Sequence, residues 1–214
     1  MLQMSGEKRN FDAESADWDK EPRRIQLAND LFRAIEEDVP LTTAMDVLDF
    51  GCGTGLLTLL LATRVGFVTG VDQSQGMLDV LGGKIVSGQV SNVAARPVNL
   101  DQGDVLSGQY DLITSTMTVH HVQDVASLLD QFLSVLKPGG YVCIADLDLE
   151  GGLFHANNDG VFHFGFDRVW FQDKLSTLGF QRVKVRTAAK IVKPAANGTE
   201  TTFTLFLATG RHAG

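Results

Sequence analysis

Up to Lys20 the chain is charged and polar with little apolar periodicity, and this stretch reads as a flexible arm or lid. From Pro22 the pattern turns helical. Ile25, Leu27, Ala28, Leu31, Phe32 and Ile35 form a stripe at helix spacing, opened by a proline suited to the first turn and closed by Pro40. From Met45 onward, apolar runs of strand length alternate with amphipathic segments. Strands are predicted at 45–50, 67–71 (ending at Asp72), 93–100, 110–115 and 141–147. Helices are predicted from Thr54 to Arg64, from Ser74 onward, and from Asp124 to Leu136, the last with Val125, Leu128, Leu129, Phe132, Leu133 and Leu136 inward. A turn, Lys137-Pro138-Gly139-Gly140, precedes the fifth strand. Runs such as Tyr141-Val142-Cys143-Ile144-Ala145 suit strands buried on both faces, so the alternation predicts an α/β fold with a parallel sheet.

Past Leu147 the alternation changes. Glu150 to Phe166 is a polar stretch carrying histidines and aromatics, too long for a simple connector and therefore a candidate functional loop. A helix follows from Asp167 to Leu178, with Gly179 as its cap. Strands at 180–187 and 201–209, joined by the turn-rich 193–198, predict an antiparallel hairpin.

Composition narrows the partners. The 214 residues suit one large domain, and a net charge of −8 argues against binding nucleic-acid phosphates or anionic membranes. The longest apolar run, Leu56 to Ala62, is too short to span a bilayer, and no targeting segment is read at the N-terminus. Cys52 and Cys143 form no disulfide framework and read as small buried fillers, so a cytoplasmic location is expected. Asn197-Gly198-Thr199 reads as a turn rather than a glycosylation site.

The chemistry concentrates in Val47-Leu48-Asp49-Phe50-Gly51-Cys52-Gly53-Thr54-Gly55, a strand that turns into a helix through three glycines. Bare backbone at such a turn lets a ligand approach closely. The spacing is G-x-G-x-G. Leu56 stands where the dinucleotide fingerprint G-x-G-x-x-G places glycine or alanine. Asp72 ends the second strand, seventeen residues after Gly55, where a carboxylate accepts hydrogen bonds from both hydroxyls of a ribose. Asn99-Leu100-Asp101 ends the third strand, and Thr116, His120 and His121 follow the fourth.

Together these motifs resemble the class I S-adenosylmethionine-dependent methyltransferases, specifically over residues 45–147. The resemblance implies a Rossmann-like doubly wound seven-stranded sheet, order 3-2-1-4-5-7-6 with strand 7 antiparallel. Residues 45–214 would form that domain, and 1–44 an arm and helix belonging to it. It implies S-adenosyl-L-methionine as cofactor. Gly51, Cys52, Gly53, Thr54 and Gly55 would pass its methionine part, and Asp49 would lie near its amino group. Asp72, Gln73, Ser74 and Met77 would flank the adenosine, Met77 being equally readable as a core residue. Asn99 with Leu100 is favoured over Asp101 for the adenine end. Thr116 and His121 would face the sulfonium.

No catalytic residue is assigned, though His120 or His121 is a candidate base. No metal is expected, because the histidine pair has no third ligand at metal-site spacing. The acceptor is expected to be a small molecule. Phe11, Trp18 and Asp19 from the arm, and Phe154, His155, Phe162, His163 and Phe166 from the late loop, are candidates to close its pocket. Two other readings stay open: a methyltransferase-like cofactor binder without turnover, and a nicotinamide-dependent oxidoreductase.

Overall fold

The computed structural model describes residues 10–213. Five strands run parallel: β1 (Asp46–Phe50), β2 (Phe67–Asp72), β3 (Val93–Pro97), β4 (Tyr110–Thr116) and β5 (Leu136–Leu147). The last two, β6 (Gln181–Pro194) and β7 (Glu200–Arg211), form the hairpin, and the sheet order is β3-β2-β1-β4-β5-β7-β6. β7 is antiparallel to both its neighbours. This is the order and polarity that the resemblance implies.

Parallel neighbours need crossovers, and helices supply them. The helices are α1 (Phe11–Glu14), α2 (Pro22–Asp38), α3 (Leu56–Ala62), α4 (Gln75–Ser87), α5 (Val125–Val135) and α6 (Arg168–Thr177). Five of these six begin on a side-chain cap, α3 being the exception. Ser74, Asp124 and Asp167 accept from the backbone N–H groups of Met77, Ser127 and Trp170, each worth about 1 kcal/mol. Strand alternation then sorts the core. Val47, Val68, Leu112 and Cys143 pack with α2, α3 and α4, whereas Leu48, Phe50, Ile113 and Ile144 pack with α5 and α6. The far end of α2 is tied to β6 by Arg186, whose guanidinium donates to Asp38 (2.8 Å) and to the Ala34 carbonyl (2.8 Å).

Several boundaries move, for local reasons. β3 stops at Pro97, and Asn99 then caps a 3₁₀ turn over Leu100–Gln102. β5 starts at Leu136, so Lys137-Pro138-Gly139-Gly140 runs inside an irregular strand start. Gly139 sits there at φ +79°, and its N–H donates to the His212 carbonyl. The hairpin strands extend further than the alternation suggests, with two bulges in β6.

Residues 1–9 of the expected arm lie outside the described residues. From Phe11 on, the arm is helical and pinned rather than loose, because Asp12 accepts from the Ser74 hydroxyl (2.5 Å) and the Gly76 N–H (2.8 Å). Among the described residues, no helix is long and apolar enough to cross a membrane.

Candidate functional site

The carboxyl ends of β1, β2 and β4 open into one cleft of about 370 Å³, within the ~300–1,000 Å³ range usual for small-molecule sites. Asp49, Gly51, Cys52, Gly53, Thr54, Asp72, Gln73, Met77, Leu100, Thr116 and His121 all line it. The three glycines are needed for different reasons. A Cβ on Gly51 would lie 2.2 Å from Thr118, and one on Gly55 would lie 2.3 Å from Leu81 of α4. Those two glycines let other elements pack. Gly53 alone faces open space, at φ +53°, and it presents the bare backbone that a ligand needs.

Sheet register sets the acids around this turn. Asp49 stands beside Thr114 of β4, which donates to one carboxylate oxygen (2.9 Å), and Thr58 of α3 donates to the other (2.7 Å). Burial nevertheless pushes the Asp49 carboxyl up to about 6, with the two hydroxyls acting in the opposite sense. Asp72 accepts from the Gly53 N–H (2.8 Å) and the Ser74 N–H (2.9 Å). Burial raises its carboxyl as well, opposed by the backbone N–H groups of Ser74, Gly53 and Gln73. Asp72 thus holds the glycine turn in shape through Gly53, Asp49 ties β1 to β4 and α3, and both line the cleft. Desolvation also drives the Cys52 thiol well up, so it is a filler rather than a nucleophile.

Three of the expected residues do other work. Ser74 caps α4 and donates to Asp12, lying on a small neighbouring cleft instead. Gly55 seats Leu81. Asn99 turns its side chain onto the Asp101 N–H (3.1 Å) and borders only the neighbouring cleft, whereas Leu100 and Asp101 reach the main one.

Two lids meet over the cleft. From the N-terminal side, Phe11 and Trp18 line it; Phe11 packs edge-on against His121, with centroids 5.2 Å apart. Asp19 accepts from Thr54 (2.6 Å) and pairs with Lys84, fastening the arm to the glycine turn. From the other side comes the stretch after β5. Its Phe162 and His163 N–H groups donate to the His120 carbonyl (2.9 and 3.2 Å), and Phe166 packs into the α5–α6 core. Only Phe154 and His155 of this stretch reach the cleft; Phe162, His163 and Phe166 do not line it. Met117, also in the lining, holds φ +54° without being glycine, a strained backbone at the mouth of β4.

The lids also bring together residues with no sequence signal of proximity. The His120 ring donates from Nδ1 to Asp146 at the end of β5 (2.7 Å), and the same carboxylate accepts the His120 and Leu147 N–H groups. His121 meets the Gly160 carbonyl through Nδ1 (2.7 Å), and His155 Nε2 lies 3.2 Å from His120 Nε2. The third imidazole that the local spacing lacks therefore arrives from a different loop. Arg23 and Arg24 of α2, and Ile191 and Lys193 of β6, complete the wall. Their only sequence cue is the charge of residues 23 and 24 at the start of a helix.

Residues 21–179 match a methyltransferase-domain family. Over 143 residues the chain is 31% identical to a ubiquinone biosynthesis O-methyltransferase of Acinetobacter baylyi, covering 64% of this chain and 60% of that protein. It spans only about half the length of the curated relatives it matches, 43% in the case of an uncharacterized methyltransferase of Schizosaccharomyces pombe. Among solved structures, the DhpI–S-adenosylhomocysteine complex superposes with a TM-score of 0.70 at 19% identity, covering 95% of this chain and 93% of that one. Phosphoethanolamine N-methyltransferase 2 of Haemonchus contortus, solved with S-adenosyl-L-methionine, gives 0.71 at 17% identity, covering 87% and 53%.

Proposed function

The chain belongs to the class I S-adenosylmethionine-dependent methyltransferase family, and on that premise we propose that it moves a methyl group from S-adenosylmethionine to a hydroxyl oxygen of a small-molecule acceptor. One observation carries the reading. The bare backbone at Gly53, flanked by Asp49 and Asp72, opens into the same cleft as the buried histidines beneath the two lids. Oxygen is preferred over nitrogen because the O-methyltransferase relatives share sequence with this chain, whereas the N-methyltransferase likeness is one of fold.

The cofactor supplies a methyl that is already electrophilic on its sulfonium, so the chain's own task is to hold and to shield. Gly51 to Thr54 lie along the methionine end, with the Asp49 carboxylate offsetting the ammonium. Asp72 receives the ribose hydroxyls. Met77 and Leu100 flank the adenine, and Asp101, which lines the cleft beside Leu100, receives its amine. Thr116 and His121 border the sulfonium. Phe11, Trp18 and Phe154 exclude water above it. Holding the reacting atoms in line can lower the barrier by roughly 7–11 kcal/mol. The arm and α2 form part of the cofactor wall, which supports reading residues 1–44 and 45–214 as one functional unit. Two buried thiols suit a reducing compartment such as the cytoplasm, and the net charge of −8 suits neither nucleic acid nor an anionic membrane as partner.

The test pairs calorimetric titration of S-adenosylhomocysteine with transfer of labelled methyl to matched hydroxylated and amine acceptors. Saturable binding and label on a hydroxyl are expected. Label on amines alone rejects the oxygen assignment. Binding of NADH in place of the adenosyl ligand rejects the whole reading, and saturable binding with no transfer points to the binder without turnover.

A further inference from the structure

We propose that His120, His121 and His155 form a binding site for one divalent transition-metal ion of the zinc type, on which the acceptor hydroxyl is ionised. The coordinating nitrogens of the three residues lie within 4.8 Å of one another, in the lining of the cleft. His120 and His155 are buried and His121 is partly so.

Three features go beyond mere proximity. First, His120 Nε2 and His155 Nε2 are 3.2 Å apart. Zinc–nitrogen bonds of 2.0–2.1 Å in a tetrahedron put neighbouring nitrogens about 3.3–3.4 Å apart, so this pair already stands at ligand spacing. Closing the widest pair to that spacing asks for a side-chain movement of at most about 1.5 Å. Two imidazole lone pairs facing each other at such a distance repel, so the contact needs a proton or a cation between the rings.

Second, the outer partners are those of a metal-bound imidazole. His120 gives Nδ1 to the Asp146 carboxylate and His121 gives Nδ1 to the Gly160 carbonyl, both at 2.7 Å. An acceptor on Nδ1 fixes the tautomer and directs coordination to Nε2. Asp146 is itself buried and held by two further N–H donors, so its position is set before any ligand binds.

Third, the donor set is chemically selective. Three neutral imidazoles with no carboxylate among the ligands suit zinc, cobalt or nickel and leave calcium and magnesium poorly served. Three protein ligands leave the fourth position of a tetrahedron open, as in catalytic rather than structural sites.

The site deepens the proposed methyl transfer and rests on that reading for its role, though not for its existence. A hydroxyl on the open position loses its proton to water, because the cation stabilises the resulting anion. That oxygen keeps lone pairs, forms the O–C bond as the C–S bond breaks, and leaves a neutral thioether. An amine would bind the ion with its one lone pair and lose its nucleophilicity. The site therefore selects acceptors bearing a hydroxyl.

The experiment uses the full chain, stripped with a chelator, dialysed and titrated with Co²⁺. One equivalent is expected to bring up the intense visible bands of tetrahedral cobalt, and added Zn²⁺ should remove them. His155→Gln is expected to abolish the bands, while Asp146→Asn weakens Co²⁺ binding by about 10- to 100-fold and retains their shape. Far-UV circular dichroism checks that each variant is folded, and the wild-type spectrum is decisive if a variant is not. Absence of tetrahedral bands in the wild type, or bands unchanged in a folded His155→Gln, overturns the proposal and leaves a hydrogen-bonded histidine trio. Titration of the stripped wild type with S-adenosylhomocysteine reads the glycine cradle separately, so failure of the metal site and failure of the methyltransferase reading are told apart.

Discussion

The Thr54 hydroxyl donates to the Asp19 carboxylate at 2.6 Å, joining the N-terminal arm to the glycine turn across 35 residues of chain. Lys84 reinforces the junction by pairing with Asp19 and donating to the Thr54 carbonyl (2.7 Å). The arm that carries Phe11 and Trp18 over the cleft is thus fastened by a latch whose two halves sit on separate elements.

Opening that latch should speed cofactor release. Asp19→Ala is expected to weaken S-adenosylhomocysteine by about 1–2 kcal/mol, mostly through a faster off-rate. Thr54→Val should reproduce the effect. Stopped-flow dissociation with either variant matching the wild type would separate the arm from cofactor retention.

Asp72 carries a larger share. Asp72→Ala should weaken S-adenosylhomocysteine by about 2–4 kcal/mol, roughly 30- to 700-fold, since bonds to a charged acceptor are lost. Because Asp72 also holds the Gly53 and Ser74 N–H groups, urea unfolding of the same variant reports the structural part. An unchanged dissociation constant in a folded variant means that the ribose lies elsewhere.

Asp49 makes stability and affinity depend on pH with opposite signs. Its carboxyl is raised from 3.8 to about 6 by burial, so between those values the folded chain holds a proton that the unfolded chain has lost. The contribution is fully present below the unfolded value and disappears as pH rises through about 6, amounting to ~3 kcal/mol. Relative to Asp49→Asn, the wild type should lose urea stability from pH 4 to pH 7, and a difference flat in pH rejects the assignment. Affinity for the ammonium of S-adenosylhomocysteine should instead fall as pH drops below about 6 and the carboxylate is neutralised.

The glycines should separate by role. Gly55→Ala forces a Cβ to 2.3 Å from Leu81 at φ +82° and is expected to cost about 2–4 kcal/mol of stability. Gly53→Ala meets open space and should cost about 1 kcal/mol, for the left-handed backbone alone. Its penalty falls on S-adenosylhomocysteine binding, where the added methyl intrudes on the cradle. Equal thermal destabilisation of the two variants would contradict this division.

Local rules were enough for much of the molecule. Periodicity located the parallel strands, Ser74, Asp124 and Asp167 announced helix starts, and Gly51 to Gly55 with Asp49 and Asp72 marked the turn that borders the main cleft. Each of these signals is carried by residues close in the chain, whose chemistry acts within one turn or one strand end. What stayed illegible depends on which distant segments meet. Asp19 reaches Thr54 because α4 and the arm pack together. Asn99 borders the neighbouring cleft rather than the main one because its side chain caps its own turn. His155 reaches His120 only because the stretch after β5 folds back onto the His120 carbonyl. The sequence by itself determined the strands, the helices and the glycine turn between Asp49 and Asp72, since hydrophobic period and glycine geometry are local. Only the tertiary structure decided which lids close the cleft and which imidazoles converge in it, since those contacts are set by how whole elements pack.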